Sequence, residues 1–273
     1  MRNFIAIVLS LVFFISCSKV PLTGRKQFTP IPHSQMVSLG KSNYTQVLQE
    51  SNVSDNEEYK QMVQEVGARI SKAVEEYLRQ NNLSAQIEGY EWEYNVLESD
   101  QVNAWAMPGG KIAFYEGIMP ICEDEAGIAV VMGHEVAHAI AQHGNERLTQ
   151  GLAAQLGGLA LTEALDQKPE QTQQLVMTAF GVGVQVGVLL PYSRLHEKEA
   201  DELGLYFMAM AGYDPNEAPA FWQRMQQRSE ASPPPEFLST HPSPEKRIKN
   251  LKKLLPKALP YYQGATNTPD PTQ

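Results

Sequence analysis

The pattern of apolar and polar positions divides the chain into a mixed first part and an almost wholly helical second part. From Asp55 to Gln80, apolar residues recur at helical spacing (Met62, Val63, Val66, Ile70, Val74, Tyr77), which predicts a helix. His33 to Glu50 reads as another helix before it. "YEWEYNVLES" and "VNAWAM" mix or alternate aromatic and apolar residues as strands do, and "KIAFY" is a further strand. The turn signal at Pro108, Gly109 and Gly110 joins the last two into a candidate hairpin. From Glu123 onward, helices are predicted at 123–143, 146–165, 171–190, 193–211, 215–229 and 244–256. Residues 151–164 are rich in Gly, Ala and Leu, which suits close helix packing. "FGVGVQVGVLL" is too short to span a membrane and reads as a packed core helix. "SEASPPPEFLSTHPSP" is a proline-rich loop, and residues 259–273 read as a disordered tail. The expected fold class is α+β, mostly helical, with a small sheet or hairpin.

Composition narrows the role. The chain has 273 residues, 42% of them hydrophobic, enough for one substantial core. Its net charge is −9 and no basic stripe interleaves with aromatics, so nucleic acid is not an expected partner. The lysines of "KKLLPK" read as the solvated face of a helix. At the N-terminus Arg2 precedes an apolar run from Phe4 to Ser16, shorter than the roughly 20 residues a spanning helix needs. Residues 1–16 therefore read as a signal peptide. The run ends in "FISC", which resembles a bacterial lipobox, so lipidation at Cys17 is expected, with outer-membrane sorting by analogy from Ser18. Residues 17–32, rich in Pro, Thr and Gly from residue 19, would be the lipoprotein tether, and 33–258 the folded domain. With Cys17 lipidated, Cys122 has no partner and no disulfide forms within the chain.

The chemistry lies in "AVVMGHEVAHAIAQHGNERL". A helix turns about 100° per residue, so His134 and His138 share a face and can grip one ion. Glu135 sits beside them, placed to hold a water as general base. His143 falls about 180° from His134 on one straight helix, which excludes it as the third ligand. The metzincin pattern H-E-x-x-H-x-x-G-x-x-H needs a histidine where this chain has Gly144. His143 is read as a surface or second-layer residue. The better partner is "SRLHEKEADELG", where Pro191 breaks the preceding helix and Ser193 is a plausible N-cap. Glu197 and Asp201 then face together: one can complete a His₂Glu site, and the other can accept the free ring N–H of a ligating histidine. The bland alternative makes this a charged, solvated face together with Lys198 and Glu199; the E-x-x-x-D spacing after H-E-x-x-H favours the site.

H-E-V-A-H followed by E-K-E-A-D resembles the gluzincin metallopeptidase family of HtpX and the CAAX prenyl proteases. "VPLTGRKQ", "VNAWAMPGGKIAFYEG", "YSRLHEKEAD" and "STHP" resemble its periplasmic lipoprotein branch, the BepA- and LoiP-like peptidases, in the family's order. The resemblance implies a zincin-type domain with its small sheet beside the active-site helix. It implies one Zn²⁺ held by His134, His138 and Glu197, Glu135 as catalytic base, and Asp201 orienting the ligands. Beyond residue 258 only a short tail remains where BepA carries tetratricopeptide repeats, so a partner docked through repeats is not expected. His241, before Pro242 in "LSTHPSP", is pushed to extended backbone, and Pro244 suits the first turn of the next helix. Its imidazole can donate to an oxyanion; matching histidines in relatives imply instead a latch on the open zinc position. A resting state with His241 within reach of the metal is expected. "NAWAM" is a candidate edge strand for an extended substrate.

The function expected is zinc-dependent hydrolysis of misfolded or stalled outer-membrane proteins. It would take place on the periplasmic face of the bacterial outer membrane, with the outer-membrane assembly machinery as a further partner. The alternative is an assembly factor or holdase that binds such proteins in the cleft without cutting. The intact Glu135 favours the enzyme.

Overall fold

The computed structural model describes residues 17–156, 179–180, 193–231, 237–238, 241 and 244–266. The expected signal peptide at 1–16, the helix expected at 171–190 (Ala179 and Phe180 excepted), the end of that at 146–165, and most of the proline-rich loop lie outside the described residues. The described residues form eight α-helices, a three-stranded sheet and a two-stranded hairpin, as the α+β reading requires. None of these helices is long and apolar enough to cross a membrane.

The hairpin is β1 (Cys17–Lys19) with β2 (Lys26–Phe28), antiparallel. Leu22 and Gly24 take positive φ in its turn, and Val20 and Ile31 are buried. The stretch expected as a tether is thus folded onto the domain, because it carries apolar side chains that the core accepts.

Helices α1 (His33–Glu50) and α2 (Glu57–Gln80) match the expected spans closely. Asn56 caps α2 by accepting from the Tyr59 N–H. Strands β3 (Glu93–Leu97), β4 (Ala104–Met107) and β5 (Lys111–Tyr115) follow. The β4–β5 hairpin forms through Gly109 and Gly110, both at positive φ. β3 joins β5 in parallel, giving the order β3-β5-β4 with β4 at an edge. Successive side chains of a strand point to opposite faces. Ala104, Ala106, Ile112 and Phe114 enter the main core with α2, while Trp105, Met107 and Ala113 pack with Met36 and Tyr44 of α1.

Short α3 (Met119–Cys122) leads into α4 (Glu125–Ile140), whose first turn Asp124 caps through the Gly127 N–H. Every residue of α4 from Gly127 to Ile140 is buried, as an all-round apolar helix demands. The helix predicted over 123–143 ends earlier, at Ile140, and the one predicted from residue 146 starts earlier, at His143. Gln142 adopts φ 55°, a conformation usually left to glycine, and α5 (His143–Leu156) starts directly after it. Helices α6 (Ser193–Met210), α7 (Glu217–Ala231) and α8 (Pro244–Thr266) complete the fold. α8 runs past Pro256 and Pro260, so residues 259–266 are helical rather than a disordered tail. Its packing on α6 and α7, with Leu251 and Ala258 buried, outweighs the local proline penalty.

Candidate metal centre

α4 and α6 cross where each offers a glycine. A Cβ on Gly133 would meet the Gly204 carbonyl oxygen at 2.7 Å, and one on Gly204 would meet the His134 nitrogen at the same distance. This close approach lays Glu197 across the two histidines of α4. His134 Nε2 and His138 Nε2 are 3.1 Å apart. Glu197 Oε2 is 3.3 Å from the first, and Glu197 Oε1 is 3.4 Å from the second. His241 enters from the loop before α8, its Nδ1 3.1 Å from His134 Nε2 and 2.5 Å from Glu197 Oε2. One donor atom from each of these four buried residues lies within 4.8 Å of the others. His241 lies outside any helix; its N–H donates to the Phe237 carbonyl, and the Phe237 N–H to that of Val102.

The protonation states suit a cation. Burial raises the Glu197 carboxyl, but His241, His138 and His134 outweigh it and hold Glu197 well below the usual range. Burial pulls His138 well down and His241 to about 4. A metal needs neutral imidazoles and an ionised carboxylate. His134 alone moves up: burial and Arg247 lower it, while Asp201 and Glu197 raise it further. A site that draws a proton onto His134 beside Glu197 also favours a cation there. Glu135 Oε1 is buried with no hydrogen-bond partner among the described residues, and burial raises its carboxyl to about 7. The donor set therefore fits a metal such as zinc, with an unsatisfied carboxylate next to it.

Each histidine has a partner on its far side. His134 Nδ1 faces Asp201 Oδ1 at 3.2 Å. Arg247 clasps both Asp201 oxygens through Nε and stacks its guanidinium 3.6 Å over the Trp222 ring. His138 Nδ1 faces His143 Nδ1 at 2.8 Å, and His143 Nε2 lies 3.0 Å from Glu199 Oε2. His143 is fully buried behind His138, second-layer and not at the surface, and is not among the four residues whose donor atoms converge. Glu199 is only 5% exposed. Arg147 Nη2 is also 3.0 Å from His138 Nδ1. With metal on Nε2 that nitrogen carries hydrogen and must donate, so His143 satisfies it and Arg147 is left as a donor to the cleft.

Glu135, His138, His241 and Arg147 line a cleft walled by Ala104 to Ala106 of edge strand β4 and by Phe180. Arg247, Arg147 and the pair His143–Glu199 were not recognised as parts of the site from sequence. Only the folded chain shows what Glu199 faces: His143 of α5 and Thr23 and Arg25 of the hairpin.

The sequence model of peptidase family M48 matches residues 65–255. The chain is 30% identical over 247 residues to the mitochondrial metalloendopeptidase OMA1 of Schizosaccharomyces pombe, covering 90% of this chain and 68% of that one. With OMA1 of Saccharomyces cerevisiae it shares 28% over 273 residues, or 96% and 76% of the two chains. With the putative beta-barrel assembly-enhancing protease of Vibrio cholerae it shares 32% over 166 residues, 58% of this chain and 33% of that one. The resemblance to gluzincins thus holds for the family, while the mitochondrial relatives match more of the chain than the bacterial assembly protease does. The matched span carries H-E-V-A-H on α4 and the Glu197 carboxylate on α6 around one buried donor set, and the chain belongs to peptidase family M48, as a metalloendopeptidase.

Proposed function

We propose that this protein is a zinc endopeptidase of the bacterial cell envelope that hydrolyses misfolded or stalled outer-membrane proteins. The observation carrying the catalytic part is the seating of His134, His138 and Glu197 around one point, with the buried Glu135 carboxylate beside it. A zinc ion there would supply Lewis acidity for water activation and carbonyl polarisation. Glu135, raised to about 7 by burial, is poised both to take a proton from a water and to return it to the leaving amine. Asp201 fixes the His134 tautomer, and Arg147 can donate to a substrate carbonyl. Edge strand β4 lies alongside, so an extended segment pairing with it would run past Glu135.

The envelope address is supported by the apolar run leading into Cys17 and by the similarity to the putative beta-barrel assembly-enhancing protease of Vibrio cholerae. The partners that follow are unfolded or misassembled envelope proteins and the outer-membrane assembly machinery, with a lipid anchor at Cys17. Purified protein loaded with zinc should cleave unfolded casein, and chelation should stop it. Glu135→Gln should lose at least about a hundredfold in rate while retaining zinc. Undiminished turnover in that variant refutes the catalytic assignment. The Cys17→Ser protein remaining with outer membranes refutes the anchor.

A further inference from the structure

We infer that the N-terminal hairpin is a working part of the metal centre: through Glu199 and His143, Thr23 and Arg25 position the ligand His138. The inference rests on the proposal that His134, His138 and Glu197 hold the ion. The contacts form one continuous path. His138 Nδ1, the nitrogen facing away from the donor set, lies 2.8 Å from His143 Nδ1. His143 Nε2 lies 3.0 Å from Glu199 Oε2. Both oxygens of Glu199 are held by the hairpin: the Thr23 hydroxyl donates to Oε1 at 2.5 Å, and Arg25 Nε donates to Oε2 at 2.6 Å. Arg25 also reaches α5, donating from Nη2 to Glu146 Oε2 at 2.6 Å, and the same oxygen receives His196 Nε2 of α6 at 3.0 Å. The His143 and His196 rings stack at 4.3 Å, 15° from parallel, which restricts the His143 plane.

Physical chemistry gives this path a direction. A ligating imidazole donates its other N–H to a partner, which fixes its tautomer and orientation. His143 can accept at Nδ1 only if its own proton sits on Nε2. The Glu199 carboxylate, an acceptor only, enforces that tautomer. Glu199 in turn keeps its orientation because a hydroxyl and a guanidinium hold one oxygen each. Buried Val20 and the positive-φ residues Leu22 and Gly24 fix the turn that presents Thr23 and Arg25. An ordinary staple between the N-terminus and the helices would use the same ion pairs, but it would leave the metal unaffected.

The test measures zinc affinity by chelator competition, visible absorption of the cobalt-substituted protein, and melting of the metal-free protein. It compares wild type with Arg25→Met, Arg25→Lys, Thr23→Val and Glu199→Gln. Arg25→Met and Glu199→Gln should weaken zinc binding by about tenfold to a hundredfold and shift the cobalt bands at saturation. Arg25→Lys should fall between them and wild type. Adding Arg25→Met to His143→Ala should cost little beyond His143→Ala alone, because both act along one path. The inference is overturned if Arg25→Met lowers only the melting of the metal-free protein and keeps wild-type zinc affinity and cobalt spectrum. It is equally overturned if the effects of Arg25→Met and His143→Ala simply multiply. Should Arg25→Met fail to fold, Thr23→Val leaves both ion pairs in place and decides alone: unchanged zinc affinity overturns the inference. Failure of the wild type to bind zinc overturns the metal reading itself, an outcome distinct from all of these.

Discussion

His241 Nδ1 lies 2.5 Å from Glu197 Oε2, inside the donor set of the metal centre and not at its rim. Its other nitrogen is 3.6 Å from Glu135 Oε1. An imidazole so placed occupies the space a substrate carbonyl and its attacking water must use. His241→Ala should therefore raise basal cleavage, by about tenfold to a hundredfold if one charge-assisted hydrogen bond of about 1.5–3 kcal/mol holds the ring in place. Initial rates on unfolded casein decide it. A fall of roughly a hundredfold would instead make His241 an oxyanion donor, and no change would remove both roles.

Glu197→Ala and His143→Ala should separate by degree. The first removes a donor from the ion and should lose zinc on dialysis together with activity. The second removes only the acceptor behind His138, so zinc affinity should fall by about tenfold to a hundredfold without vanishing. Metal content after dialysis against graded chelator distinguishes them. Full zinc retention in the Glu197 variant would return the search for the third ligand to its start.

The crossing of α4 and α6 has no room for a methyl group. A Cβ on Gly204 would sit 2.8 Å from the Gly133 carbonyl carbon, with backbone on every near side. Gly204→Ala should cost about 1–3 kcal/mol by overpacking and weaken zinc binding, since Glu197 moves away from His134 and His138. Urea denaturation with metal titration tests both effects. Wild-type values in each would mean that the helix pair yields more easily than its contacts imply.

Acid should loosen the N-terminal hairpin before it unfolds the core. Burial raises the Glu146 carboxyl, but hydrogen bonds from His196 and Arg25 outweigh it and hold the group below the usual range. A depressed carboxylate adds stability that is fully present above its unfolded value, about 4.3, and is lost as pH falls through the folded value. Stability measured by urea titration should therefore decline through that window, and Glu146→Gln, lower at neutral pH, should decline less steeply. Parallel curves for the two proteins would show that other carboxylates govern the acid limb.

The chain alone determined what depends on local spacing. The fall of His134 and His138 on one face, with Glu135 beside them, follows from helical geometry. So does the pairing of Glu197 with Asp201, and both appear in the structure as read. The β4–β5 hairpin was readable because Pro108 and two glycines mark its turn. Tertiary structure decided everything that needed two distant segments to meet. Nothing local marks the break at Gln142, because glutamine seldom takes a left-handed backbone and does so here under packing. That break turned His143 from an expected bystander into the buried partner of His138. Glu199 has the composition of a solvated face, yet Thr23 and Arg25, far away in sequence, cover it. A charged residue is stable in the interior only when partners arrive for it, and partners from distant segments are invisible to periodicity. For the same reason Arg247 shows in the sequence as one more cation on a helix. Only the folded chain places it between Asp201 and the face of Trp222.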